Sequence, residues 1–535
     1  MNKRAPADLG KRATPDSGPV VDVAPAPHAI ALVLGDQLDL DSPVLQACKD
    51  VLMVEAADES LRIQSHRART VLFLSAMRHF ADALRQRGFV VHYRKLEEGH
   101  DAPLVDQILS MLKAMPPASL RVLEPGEWAI EQALIAGCKA QGRALELIED
   151  PHALCSRKDF ARYAAKRSRL RMEYFYRDMR QRHRVLMDAE GQPLGGQWNF
   201  DTENRKAFGV RGPSGLPPPA RFAPDSISSA VIDAVQTKLD RLPGSCAQFA
   251  WPVNRAQALK ALDHFIEHVL PQFGPFQDAM WSGEPFLWHS LLASAMNIKL
   301  LRPLEVIQAA CDAYARDPQR YALPTVEGFV RQILGWREFM RGLYWLHMPA
   351  MAQANHFDHH GQLPVWFWNG QSQMNCLRQT LEQTFEHAYA HHIQRLMVIG
   401  NFAVLAGLHP KAVADWFHAV YVDAVDWVHL PNVMVMALYA MGPELSSKPY
   451  IASGQYIARM SNYCKTCSYR PALRDSDAAC PFTVFYWDFL QRHQASLEKN
   501  PRMFHAIRQL KAMSPPQLAK NAQQAQRYRE RIEQL

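Results

Sequence analysis

Nothing in these 535 residues approaches the roughly 18 consecutive apolar residues of a membrane-spanning helix, and the N-terminus has no hydrophobic signal core. The sequence therefore reads as a cytoplasmic protein without a membrane partner. It also lacks a G-x-G-x-x-G fingerprint and a Walker loop: "EPGEW" and "GGQW" are neither, so any nucleotide cofactor must be held by other means. His-Glu-x-x-His is absent too, which removes the commonest hydrolytic zinc site. No internal repeat is visible. Cysteine is scarce, nine in all, and Cys48, Cys138, Cys155, Cys246 and Cys311 stand alone as small core residues of a reducing compartment would.

What is present is ordinary in bulk and uneven in texture. Apolar residues make up 48% and charged residues 21%, and the net charge of +7 is compatible with a nucleic-acid partner. Residues 1–27 are rich in Pro, Ala and charge without apolar periodicity, and read as a disordered tail. From 28 to about 155, short apolar runs ending in Gly, Asp or Glu ("AIALVLGDQL", "DVLMVEA", "FVVHYRKL", "LIEDPHAL") alternate with a helical stretch. Its face is Leu72, Met77, Phe80 and Leu84, and Gly88 closes it. This pattern predicts a doubly wound parallel α/β domain. Residues 156–255 read as a mixed connection with basic helical pieces and a Pro-rich linker at 213–224. From 256 to 535 strand signals nearly vanish and an all-α domain is predicted, with Phe329, Ile333, Trp336 and Met340 on one helix face. The polar end of the chain predicts a terminal helix or a frayed one.

Three groups of residues carry chemistry. "YCKTCSYRPALRDSDAACPF" places Cys464, Cys467 and Cys480 close together in the helical half, away from the strand-to-helix turn that a redox Cys-x-x-Cys occupies. Zinc favours two tight pairs and only one exists here. With Cys376 in "QMNCLRQ", the set has the wide loop, tight pair and near neighbour that an iron–sulfur cluster accommodates, and Pro481 follows Cys480 directly. Zinc and no metal remain the alternatives. "HAYAHHIQRL" holds His387, His391 and His392, of which the first two are spaced for one helix face. Adjacent His391 and His392 cannot both face a core, so one is free to offer a proton near neutral pH. Trp336, Trp366, Trp368, Trp416 and Trp427 are core residues by default, or single-electron relays if a flavin lies beside them.

"LVLGDQL", "FLSAMRHF", "EPGEW", "WNFD-ENR", "HSLL", "VEGF-RQI-GWRE-MRG-YW", "AYAHHIQRLM" and "GQYIARMSNYC-TC" together resemble the iron–sulfur bacterial cryptochrome and (6-4) photolyase family, in order from about 29 to 500. The resemblance implies FAD in the helical domain and a [4Fe–4S] cluster on Cys376, Cys464, Cys467 and Cys480. It further implies an antenna chromophore, 6,7-dimethyl-8-ribityllumazine, around Gly35, Asp36 and Glu59, with bulky Phe73 beside it. For FAD it implies contacts from His289, Ser290, Leu291, Leu292, Trp336, Arg337, Arg395 and Asp423, and from His429 where the family carries Glu. Trp416 and Trp368 would feed electrons, with Phe417 standing where the family has Tyr. His391 and His392 would face the lesion, and Asp201 a hydrated cation near DNA phosphates. The activity implied is light-driven repair of (6-4) photoproducts in UV-damaged DNA by a monomer. The alternatives are a blue-light photoreceptor with the same cofactors and, more distantly, a flavin-free nucleic-acid-binding protein.

Overall fold

A computed structural model describes residues 28–46, 48–98, 102–116 and 118–535. The predicted tail, 1–27, lies outside the described residues. Five strands, β1 (Ala29–Leu32), β2 (Asp50–Val54), β3 (Val90–Arg94), β4 (Ser119–Leu123) and β5 (Leu145–Ile148), form one parallel sheet in the order β3-β2-β1-β4-β5. Pleating sends Ile30, Leu32, Leu52, Leu120 and Val122 into one core with Ile108, Leu112 and Leu134 from the helices Leu104–Ala114 and Trp128–Ala140. Ala31, Val33, Val51 and Met53 face the other way, into a core that continues through the helix Arg67–Gln86 into the helical half of the molecule. Burial on both faces explains why these strands read as continuous apolar runs. β4 and the two later helices of this unit were not legible, because "SLRVL" is short and carries a charge in its middle.

Strand order reverses between β1 and β4, which opens a crevice at their carboxyl ends. Gly35 and Asp36 follow β1 there, and Gly126 follows β4. A side chain at Gly126 would meet Asp36 Oδ2 at 2.2 Å and Trp427 at 3.2 Å, so only glycine lets the helical half close over the crevice. The peptide N–H of Trp427 donates to Gly126 O at 3.3 Å.

Beyond Ile148 the described residues contain no further strand, only isolated bridges and helices. The connection divides between the two halves. Phe160 and Phe175 of its first helices pack on Phe339. The helix Ser226–Lys238 lies along Arg67–Gln86, where His79 Nε2 meets Asp225 at 3.0 Å. Four helical stretches widen to i→i+5 geometry, among them Arg331–Arg337 and Gln394–Gly400. Such π segments break the simple 3.6 period and cluster at functional sites. Phe329, Ile333 and Met340 are buried as predicted, while Trp336 turns into a pocket with Met172, Met340, Met436 and Tyr450. The terminal helix Pro515–Glu530 does not fray: Asn521 Nδ2 donates to Val484 O at 3.1 Å and Tyr528 Oη to Ala479 O at 2.7 Å.

His66 couples the two halves. Its Nδ1 accepts from Ala68 N–H at 3.1 Å, capping Arg67–Gln86, while Nε2 donates to Phe385 O at 2.9 Å. Only the neutral ring can do both. Burial lowers its pKa to about 4, and burial likewise holds His359 near 3 and His493 near 4. The unfolded chain takes up these protons near pH 6.5. Stability is therefore full above that pH and is lost progressively as pH falls toward 4. Melting temperature measured from pH 8 to 4 should drop steadily below pH 6.5; a flat profile would show these rings to be exposed.

Candidate functional site

The helix Asn375–His387 ends at Ala388, whose φ of 53° turns the chain sharply. His387 and His391 therefore do not share the helix face that their spacing suggested. His387 packs on Phe286, ring centroids 5.1 Å apart, while His391 begins the next segment. Its N–H donates to Gln394 Oε1 at 3.0 Å, and Gln394 Nε2 reaches Tyr463 Oη at 3.1 Å. The His391 ring stacks on His289 at 4.3 Å, is buried, and has no hydrogen-bond partner on either ring nitrogen. An orphaned buried imidazole is costly unless something outside the protein completes it. Burial, then neighbouring His289, His392 and Arg395, hold its pKa well below the usual histidine value. His392 reaches solvent at its edge; desolvation of its ring, then Arg395 and His289, lowers its pKa to about 4.

One helical turn on, Arg395 makes a two-pronged ion pair with Asp423, at 2.9 and 3.2 Å, and its guanidinium lies 3.9 Å over the Tyr421 ring. Asp423 O accepts from Asn297 Nδ2 at 2.7 Å, and Asn297 Oδ1 from Arg337 at 3.4 Å. Arg337 is capped by Trp427, 4.5 Å from the ring centroid, and its Nε lacks a partner. His289, Ser290, Leu291 and Leu292 form the irregular run before the short helix Ala293–Asn297, with Leu291 at φ 56°. Strained non-glycine backbone of this kind collects at ligand sites. The structure thus brings His289, Arg337, Arg395, Asp423 and His391 into one neighbourhood. Orphaned polar atoms, an oriented ion pair and an irregular backbone run are what a large polar cofactor requires, so the residues fit FAD. His429 is held elsewhere: its contacts run to His418, 4.2 Å between ring centroids, and to Asp426.

Trp416 is buried, donates from Nε1 to Phe367 O at 2.9 Å, and lies 5.8 Å from Tyr421 and 5.6 Å from Phe417. Trp368 is 37% exposed on the short helix Trp366–Asn369. Tyr421 thus links the aromatic group to Arg395, a position that nothing in its local sequence marks.

The cysteines meet. Cys376 opens one helix, Cys464 lies in the turn Tyr463–Lys465, Cys467 follows it, and Cys480 precedes the helix Pro481–Arg492. All four line one cavity with Met374, Gly454, Ile457, Tyr463 and Tyr469. A side chain at Gly454 would stand 2.7 Å from Cys480 Sγ, so the glycine keeps the cavity open. Burial, then Cys480, Cys464 and Cys467, push the Cys376 thiol well above its usual pKa. Thiols that oppose the ionisation of Cys376 in this way suit a shared cation. Tetrahedral zinc would draw sulfurs to about 3.8 Å from each other. Among the described residues, however, no three of these sulfurs lie within 4.8 Å. The cavity is wider than one ion needs.

At the crevice, Asp36 and Glu59 are half-buried acids with raised pKa values, Glu59 to about 7 through desolvation and the neighbouring Glu127. Phe73 and Met77 stand against Gly35, within 3.4 and 3.2 Å of where its side chain would begin. Asp201 is already paired with Arg205 and with Arg331.

A family model described as "Deoxyribodipyrimidine photo-lyase-related protein" matches residues 31–251. A "(6-4) photolyase" from Agrobacterium fabrum is 43% identical over 482 residues, 89% of this chain and 94% of that protein. In shape the chain resembles a bacterial class III photolyase from Agrobacterium tumefaciens (TM-score 0.52, 15% identity, 94% of this chain and 98% of that one). It also resembles a Synechocystis sp. PCC6803 cryptochrome (TM-score 0.52, 12% identity, 81% and 88%). At such identities the two solved structures speak for the fold alone: a parallel-sheet domain followed by a large helical one.

Proposed function

The chain belongs to the bacterial (6-4) photolyase family, and from that premise we propose that it repairs (6-4) pyrimidine–pyrimidone photoproducts in DNA, driven by light. The observation that carries this reading is the buried, partnerless imidazole of His391 beside the Arg395–Asp423 pair. The damaged nucleotide would be turned out of the duplex toward that imidazole, as photolyases in general do. FAD, when bound, supplies the light-driven electron. Arg395 and Asp423 hold and orient it, with Arg337, Trp336 and the run His289–Leu292 lining its place. His391 and His392 then serve the lesion with a proton, and Trp416 and Trp368 replenish electrons from the surface. The test is restoration of thymines from a (6-4)-containing oligonucleotide under blue light but not in the dark.

Two further groups belong to the same reading. A [4Fe–4S] cluster on Cys376, Cys464, Cys467 and Cys480 is supported by their convergence on one cavity, by sulfurs set too far apart for a single ion and by the glycine that keeps the cavity open. An antenna, a ribityllumazine in the family, would occupy the crevice near Gly35, Asp36 and Glu59, with Phe73 and Met77 limiting its depth. The protein would act as a monomer on damaged DNA; no helix among the described residues is long and apolar enough to cross a membrane.

The ion pair gives a direct check on the flavin pocket. Asp423→Ala leaves Arg395 charged and unpaired beside Tyr421, a loss of about 3 kcal/mol at the low end for buried pairs, since the two side chains keep 17% and 20% exposure. That corresponds to roughly hundredfold weaker flavin retention. The variant should purify nearly colourless at 450 nm relative to wild type (450 nm being about where oxidised flavins absorb). Full FAD occupancy would place the pocket elsewhere.

A further inference from the structure

At the seam between the sheet domain and the helical domain lies a second convergence of ligand-type atoms, outside the cysteine cavity. His418 closes the helix Pro410–Val420, and Asp426 and His429 lie three residues apart on the helix Asp426–Pro431. One ligand atom from each of the three lies within 4.8 Å of the other two, and both histidines are buried.

The hydrogen bonds place the His429 ring proton and the Tyr344 hydroxyl proton. The carbonyl of Val425 can only accept, so His429 Nδ1, at 3.1 Å, carries that ring's proton and Nε2 presents its lone pair. Tyr344 Oη receives the Trp128 N–H at 2.8 Å and donates its own proton to Asp426 Oδ2. That leaves Asp426 Oδ1 facing His429 Nε2 at 3.9 Å. This separation is too long for a hydrogen bond, and it sets two electron-rich atoms against each other. Two ligands of one tetrahedral ion at bond lengths of about 2.1 Å stand about 3.4 Å apart, so an ion would draw this pair together by about 0.5 Å. His418 also offers a lone pair, because a guanidinium only donates and Arg69 approaches His418 Nε2 at 3.3 Å. Arg69 keeps its bonds to Ala424 O and Ser65 Oγ, at 3.0 and 3.1 Å, if that long contact is given up. A ring nitrogen anchored on a backbone carbonyl, as in His429, is the usual outer support of a metal-bound histidine. The two rings lie stacked, their centroids 4.2 Å apart, so a small turn of either ring would bring both lone pairs to one ion.

We propose that His418, Asp426 and His429 form a binding site for a divalent transition-metal ion, zinc being well suited to two neutral imidazoles and one carboxylate, with water completing the shell. The ion would tie the two helices to each other and, through Asp426, to Tyr344. The electrostatics agree. Both histidines are held neutral by burial, His429 near 3 and His418 well below the usual histidine value, and burial with Glu127 raises Asp426 to about 7. Arg62, Arg69 and Lys411 oppose a further cation; Glu59, Glu127 and Asp426 offset them.

The test uses the full chain with its flavin bound, dialysed against a chelator and then offered Zn²⁺ alone. Wild type should retain one zinc per chain through gel filtration. Its X-ray absorption at the zinc edge should show nitrogen and oxygen neighbours and no sulfur. His429→Gln, Asp426→Asn and His418→Ala should each weaken zinc binding by about 100-fold or more, with flavin absorbance reporting that the chain is folded. No retained zinc in wild type, a sulfur shell placing the metal among the cysteines, or unchanged zinc in His429→Gln would each overturn the site. The first of these would mean that a proton on Asp426 alone relieves the contact.

Discussion

Cys467→Ala should yield little soluble protein, and what is soluble should contain almost no iron. Cys376 and the segment 464–480 are far apart in sequence, and their only shared purpose at that cavity is to face one another. Burial raises Cys464 to about 11 and Cys480 to about 12, so an empty cavity would hold protonated thiols lining unfilled space. A cluster bound there ties together the starts of Asn375–His387 and Pro481–Arg492 and the turn between them. The terminal helix rests on the same tie, since Tyr528 Oη bonds Ala479 O beside Cys480. Structural metal sites can contribute on the order of 10 kcal/mol of folding free energy, as much as the roughly 5–15 kcal/mol net stability of a whole domain. Losing one thiolate therefore unfolds the region rather than bleaching it. Iron and sulfide per chain, solubility and melting temperature are the measurements. A soluble Cys467→Ala protein with full iron would sink the cluster assignment. The loss should also reach the repair site, because Tyr463, adjacent to Cys464, holds Gln394, which in turn holds the His391 backbone.

The limits of reading this from sequence follow from how each signal is encoded. The parallel strands were legible because both faces are buried and the apolar runs are unbroken, as in β1 and β2. β4 was not, since Arg121 interrupts it and pairs with Glu146 at the sheet surface. The cysteines were legible through spacing and through Pro481. His387 and His391 misled: helical spacing is meaningful only if the helix continues, and Ala388 in the left-handed region ends it. The polar terminal helix looked prone to fray because its apolar content is low, yet it buries Asn521, Gln524 and Tyr528 through hydrogen bonds that periodicity does not register. The seam was invisible for another reason. Arg69, Glu127, Tyr344 and His418 come from four distant segments, and only the closure of two domains over Gly126 brings them together.

Replacing His391 by Ala should abolish most repair while leaving light-driven flavin reduction intact. A (6-4) product is reversed only if a hydroxyl returns from one base to the other, and an electron alone does not move it. The lesion needs a proton donor, and a positioned general acid is worth about 10²–10⁴ in rate. His391 stacks on His289 with both ring nitrogens unpartnered, and is thus preoriented toward whatever enters the pocket. His392 stands at the open edge beside it. Trp416 bonds Phe367 O and packs on Tyr421, so the electron supply proposed through it would need neither imidazole. His391→Ala and His392→Ala should each lower thymine restoration by about 10²–10⁴. The pH dependence has a definite sign. Both pKa values are depressed by burial, His392 to about 4, so the protonated, donating form is scarce at neutral pH and grows as pH falls. Repair per absorbed photon should therefore rise from pH 8.5 to 6.5 in wild type and stay flat in His391→Ala. Below that range the acid lability of His66 and its like takes over, so the window must be read above it. Two results would count against this assignment. If His391→Ala repairs at the wild-type rate, the imidazole is only a packing residue. If wild type reduces its flavin in light yet restores no thymine at any pH, the same pocket serves a photoreceptor that signals instead of repairing.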